Sequence, residues 1–175
     1  VNDDNVIVEL GAGCGLVGLV AASLLDCRVL LTDYNPVALQ NMDKSILLND
    51  LGENCSTVGL DFFDQEGNRD QDEEETETAT DLDPSWVNME GTKMPQANLI
   101  LATDVLPYSN DSTLVANTIQ AVLVPGGRAI VVSADESKRF GVEEFEDTCL
   151  ALGMEVQITV HAAGDRKSVV VGKRE

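Results

Sequence analysis

Strand-like and helix-like segments alternate along this 175-residue chain, which predicts an α/β fold with a Rossmann-like doubly wound sheet. A glycine-rich turn joins the first strand-like run to the first helix-like run, the junction at which such sheets place their ligand loop. Two strand-like runs close the chain around a Gly-Asp turn, so a mostly parallel sheet should carry an antiparallel C-terminal strand, with helices on both faces.

The elements follow in order. Val6 to Leu10 is a short apolar strand running into glycines. Leu16 to Leu25 is apolar on nearly all sides and too long for an ordinary strand, which predicts a buried helix. Arg28 to Thr32 is a second strand, ending at Asp33. Asn35-Pro36 is a helix start, with Asn as cap and Pro in the first turn, and Leu39, Met42 and Ile46 then share one face. Thr57 to Leu60 reads as a third strand and Asn98 to Thr103 as a fourth. Asp111 or Ser112 is suited to cap a helix that turns Val115, Ile119 and Val122 inward. Pro125-Gly126-Gly127 is a turn before a fifth strand, Arg128 to Ser133. Val142, Phe145, Cys149 and Leu152 mark a last helix stopped at Gly153, and Val156 to Val160 and Ser168 to Val171 form the terminal pair.

With 43% hydrophobic residues, residues 1–175 are expected to form one globular domain. The segment 64–93 breaks the pattern. It is polar, acidic and aperiodic, and is expected to be a flexible insertion in which Trp86 anchors the returning chain. No apolar run approaches the length of a membrane span, and no basic leader precedes an apolar core. Cys14, Cys27, Cys55 and Cys149 lie far apart with no CxxC, and His161 is the single histidine. That argues against a zinc site or disulfide framework and for reduced thiols in the cytoplasm or nucleus, with no metal. The net charge of −20 disfavours nucleic acid and favours a basic protein partner. Between Asp61 and Glu90, twelve acidic residues and one Arg give a local net of −11. A monomer is expected.

The strongest local signal is Glu9-Leu10-Gly11-Ala12-Gly13-Cys14-Gly15 between strand and helix. Glycines allow the tight turn and let backbone amides approach a ligand. A dinucleotide fingerprint would read G-x-G-x-x-G, but here the third glycine comes one residue early and Leu16 takes its place. Glu9 before the loop would repel a pyrophosphate and suit a ligand with a cationic amino group. Asp33, twenty-two residues after Gly11 at the end of the second strand, is placed to accept ribose hydroxyls. Asp61 after the third strand can accept from an adenine amino group, with Phe62 on the ring face. Thr103 and Asp104, at the end of the fourth strand, border the glycine loop if strands one and four are neighbours. Asp104 can orient an attacking amine, and Tyr108 offers a ring face or hydroxyl.

"VELGAGCGLVGLVAA", "LLTDYNPVALQNM" with Asn49-Asp50 after it, "LDFF" and "LILATDVLPY" resemble the seven-stranded S-adenosylmethionine-dependent methyltransferases. The resemblance is closest to the protein-lysine methyltransferase-like group, methyltransferase family 16. It implies S-adenosyl-L-methionine as cofactor, with Gly11, Ala12 and Gly13 under its methionine and ribose. It implies Glu9 at the amino-acid end, Asp33 on the ribose with Tyr34 beside it, Asp61 and Phe62 at the adenine, and Thr103 against the cofactor. Asp104 and Tyr108 would be the catalytic residues. The group's usual pattern after strand four is Asp-x-x-Tyr or Asp-x-x-Phe; here Pro107 stands at the aromatic position and Tyr108 follows one residue late. The group also has an N-terminal segment that closes over the cofactor, and this chain is expected to lack it.

The function so implied is methyl transfer to a protein lysine. Small-molecule N-methyl transfer on the same scaffold and a non-catalytic interaction module are the alternatives, since fold does not fix function. An NAD-dependent oxidoreductase is disfavoured by Glu9, the early Gly15 and the lack of a recognisable substrate domain.

Overall fold

A computed structural model describes residues 2–62, 88–89, 91–134, 141–160 and 166–174. Strand β1 (Asn2–Leu10) leads through the glycine loop to helix α1 (Leu16–Leu24) and strand β2 (Cys27–Asp33). Helix α2 (Pro36–Leu48) and strand β3 (Cys55–Gly59) follow, then strand β4 (Ala97–Thr103) and helix α3 (Ser109–Val122). Strand β5 (Leu123–Ala134), helix α4 (Gly141–Ala151), strand β6 (Glu155–Val160) and strand β7 (Arg166–Gly172) complete the order.

The seven strands form one sheet in the order β3-β2-β1-β4-β5-β7-β6. β1 pairs in parallel with β2 on one side and β4 on the other, so the strand order reverses at β1. β7 slots in antiparallel between β5 and β6. The expected doubly wound, mostly parallel sheet with an antiparallel C-terminal strand is thus present.

Strand alternation divides the core in two. Val6, Val8 and Leu10 of β1, with Ile100 and Ala102 of β4, pack against Val115 and Ile119 of α3 and Phe145 and Cys149 of α4. On the other face Ile7, Val29 and Leu31 pack against Ala22 of α1 and Met42 and Ile46 of α2. Asn35 caps α2, its Oδ1 accepting the Val37 N–H at 2.9 Å, with Pro36 in the first turn. No helix among the described residues is long and apolar enough to cross a membrane.

Three boundaries differ from the sequence expectation. α3 starts at Ser109 with Tyr108 as cap residue, so Asp111 lies inside the first turn and Ser112 beyond it; neither is the cap. Pro125-Gly126-Gly127 does not precede the fifth strand but interrupts it: Leu123 pairs with Ala97, and pairing resumes at Arg128 with Leu99 after a register shift. β1 reaches back to Asn2 across another register shift before Val6. Most of the segment 64–93, with Trp86, lies outside the described residues, as does the Gly164-Asp165 turn. Its described end is tied down: Met89 N–H donates to Gly59 O at 2.8 Å, and Thr92 N–H to Asn88 Oδ1 at 2.7 Å.

Candidate functional site

At the carboxyl ends of the parallel strands, where the order reverses, lies a cavity of about 430 Å³, within the range of small-molecule sites. Gly11, Asp33, Tyr34, Asp61, Phe62, Asp104 and Tyr108 line it, together with Val105, Pro107 and Asp111.

The glycine loop forms one wall. Gly11, Gly13 and Gly15 have φ of 58°, 57° and 77°, left-handed values that penalise a side chain. A Cβ at Gly11 would press on Val105 Cγ1 at 2.9 Å, whereas one at Gly13 would meet nothing within 4 Å, so the loop faces open space there. The loop is tied to the end of β2: Ala12 N–H donates to Thr32 O at 2.7 Å. Gly13 N–H donates to Asp33 Oδ2 at 2.8 Å, and Asn35 N–H to Asp33 Oδ1 at 2.9 Å. The nearly buried Asp33 carboxylate therefore orients the loop and the entry to α2 while lining the cavity. Leu60 N–H donates to Asp33 O at 3.1 Å, which brings Asp61 and Phe62 alongside.

β4 supplies the opposite wall. Asp104 leaves the strand with a φ of 61°, a conformation Asp tolerates better than most residues. Its N–H donates to Val132 O at 2.8 Å, and its Oδ1 accepts the Ala134 N–H at 3.4 Å. Leu106 is buried behind this wall, while the Tyr108 side chain is 69% exposed at its rim.

Four of the candidate residues do not line the cavity. Glu9 is 1% exposed and turned toward α1, where Oε2 accepts the Gly18 N–H at 2.8 Å. Strand alternation explains this: Val8 and Leu10 face the α3 and α4 layer, which sends Glu9 into the α1 and α2 layer. Burial raises its carboxyl to about 7, partly offset by the Gly18 N–H. Thr103 is directed away from the α3 and α4 layer in the same manner, opposite to its buried neighbour Ala102. Ala12 and Gly13 belong to the loop through their backbone bonds. Conversely, Val105, Pro107 and Asp111 line the cavity without having been singled out for it. Asp111 carried a signal, the acid three residues into a helix, but a Tyr in the cap position disguised it.

A family model described as lysine methyltransferase matches residues 2–77, less than half of the chain. No curated protein sequence matches. Among solved structures, a methyltransferase from Pyrococcus furiosus is similar, with a TM-score of 0.68 and 17% identity over 97% of this chain and 75% of that one. A TehB-like SAM-dependent methyltransferase from Corynebacterium glutamicum aligns with a TM-score of 0.68 and 13% identity, covering 99% of this chain and 83% of its own. A ribosomal protein L11 methylase from Lactobacillus delbrueckii subsp. bulgaricus gives 0.61 and 13%, covering 97% and 70%. The fold is that of the class I methyltransferases. Family model and fold together imply S-adenosylmethionine as the cofactor.

The residues present fit that group. Gly11 brings the loop to the cavity, and the Asp33 and Asp61 carboxylates that line it accept from hydroxyl and amino donors. Phe62, partly buried against the core, offers an apolar surface.

Proposed function

We propose that this domain transfers a methyl group to a lysine side chain of a basic protein. The observation that carries the reading is the wall after β4, where Asp104 and Tyr108 border the same cavity as the glycine loop. The lysine methyltransferase model over residues 2–77 supports it. In this reading Gly11, Ala12 and Gly13 pass under the methionine and ribose of the cofactor, Asp33 and Tyr34 serve the ribose, and Asp61 and Phe62 the adenine. Glu9 acts from beneath through α1, and Thr103 from the strand.

When bound, the cofactor supplies an electrophilic methyl group on a sulfonium. The protein's share is orientation. A lysine must arrive with its amine unprotonated. Asp104 accepts a hydrogen bond from that amine and aims its lone pair into the cavity. Its part is to align the amine, not to remove the proton. Tyr108 lays its ring or hydroxyl against the lysine at the rim. The −20 charge draws basic proteins to the surface and repels nucleic acid. Four free cysteines suit a cytoplasmic or nuclear setting, and the domain acts as a monomer.

The test is transfer of labelled methyl from S-adenosylmethionine into a cell extract, followed by mass spectrometry. Label on lysine residues of proteins is the expected result. Label confined to small molecules would move the reading to small-molecule N-methyl transfer. S-Adenosylhomocysteine binding without any transfer would move it to an interaction module.

A further inference from the structure

The segment between Asp104 and α3 is held more firmly than a surface connection needs. Asp111 lies in the first turn of α3 and is 8% exposed. Its Oδ2 accepts the Tyr108 N–H at 2.8 Å, and its own N–H donates to the Tyr108 carbonyl oxygen at 3.1 Å. From the other side comes the first residue of α4. A Cβ on Gly141 would overlap the Tyr108 carbonyl oxygen and stand 3.2 Å from the Leu106 carbonyl oxygen and 3.3 Å from Leu106 Cβ. Gly141 is the only residue type that lets α4 approach so closely. The helix that directly follows Tyr108 and the distant α4 thus both close on its backbone, while Pro107, Tyr108 and Asp111 all line the cavity.

We infer that Asp111 and Gly141 are positioning residues: they clamp the Tyr108 backbone and so set the wall of the cavity opposite the glycine loop. The inference rests on that cavity being the cofactor and acceptor site. The clamp explains how Tyr108 can serve although it comes one residue late after Asp104. Its place is set by the first turn of α3 and by α4, not by spacing from the strand.

The test uses S-adenosylhomocysteine calorimetry and amide hydrogen exchange on the wild type, Asp111→Ala, Asp111→Asn and Gly141→Ala. Asp111→Ala removes the acceptor. It should speed exchange of the Tyr108 amide and weaken S-adenosylhomocysteine by roughly tenfold, the scale of a small misplacement. Asp111→Asn keeps an acceptor oxygen and should restore both readouts to within about twofold, since a side-chain amide oxygen bonds the same N–H. Gly141→Ala should reproduce the affinity loss from the other side of the clamp, independently of Asp111. A purely structural helix cap would lower the melting temperature of Asp111→Ala and leave affinity unchanged below it, and that result overturns the proposal. Equal losses in Asp111→Asn and Asp111→Ala would also overturn it, by making charge the cause. If the wild type itself does not bind S-adenosylhomocysteine, the cofactor assignment fails and the inference with it.

Discussion

Glu9 lies in a place where water cannot solvate its charge, and its Oε2 accepts the Gly18 N–H. Its carboxyl ionises near 7 in the folded protein and near 4.5 in the unfolded chain. Between those values the folded state holds a proton that the unfolded state has released. Stability from this group is therefore full below pH 4.5, falls as pH rises, and is lost above 7, a swing of about 3 kcal/mol. Glu9→Gln keeps the acceptor for Gly18 and removes the titration. Urea unfolding at pH 5 and pH 8 should show the variant gaining on the wild type by about that amount at the higher pH. An unchanged gap would mean that Glu9 does not titrate in this window. Asp33 poses a different case, because both its oxygens already accept backbone N–H groups. Asp33→Ala should strand the Gly13 and Asn35 amides, loosen the loop and weaken S-adenosylhomocysteine by at least about tenfold by calorimetry. Undiminished affinity would remove Asp33 from the site. Both residues were legible in the sequence as candidates. Only the strand alternation in the folded sheet distinguishes the one that lines the cavity from the one buried behind it.

At the scale of elements, close approach is the controlling quantity. α1 lies so near the sheet that a Cβ on Gly18 would overlap Leu31 Cδ2 and come to 2.6 Å from Glu9 Oε2. Gly18→Ala should therefore lower the unfolding free energy by about 1–3 kcal/mol or more, despite alanine's better helix propensity, measured as a drop in thermal midpoint. A rise in midpoint would show that α1 can shift outward freely. The end of α3 is satisfied from β7's exit: Lys173 Nζ donates to Gln120 O at 2.7 Å and to Leu123 O at 2.9 Å. Lys173→Met should cost about 1–3 kcal/mol, read by denaturant midpoint, since carbonyls that bonded a charged donor lose it. Apolar spacing located every helix and strand in rough outline. It misplaced the start of α3, because a Tyr at the cap has no side-chain cap bond and gives no capping signal. It also took Pro125-Gly126-Gly127 for a boundary, because a turn motif cannot reveal that pairing with β4 resumes beyond it.

For the whole molecule, the net charge of −20 sets a long-range field that acts before any contact. Association with a basic peptide such as oligolysine should weaken by an order of magnitude or so between 50 and 500 mM salt, as the screening length shortens from about 14 Å to about 4 Å. Salt-independent affinity would locate the attraction in apolar contact instead. The sheet order decides the rest. By itself the sequence determined the α/β class, the glycine loop and the acids that end β2, β3 and β4, because periodicity and turn chemistry are local properties of the chain. Which of those residues share a cavity was decided only in three dimensions. β4 crosses back to lie beside β1, putting Asp104 across from Gly11, and α4 returns to press Gly141 against Tyr108. Those contacts join residues far apart in the chain, and the packing that sets their distance leaves no periodic trace in the sequence.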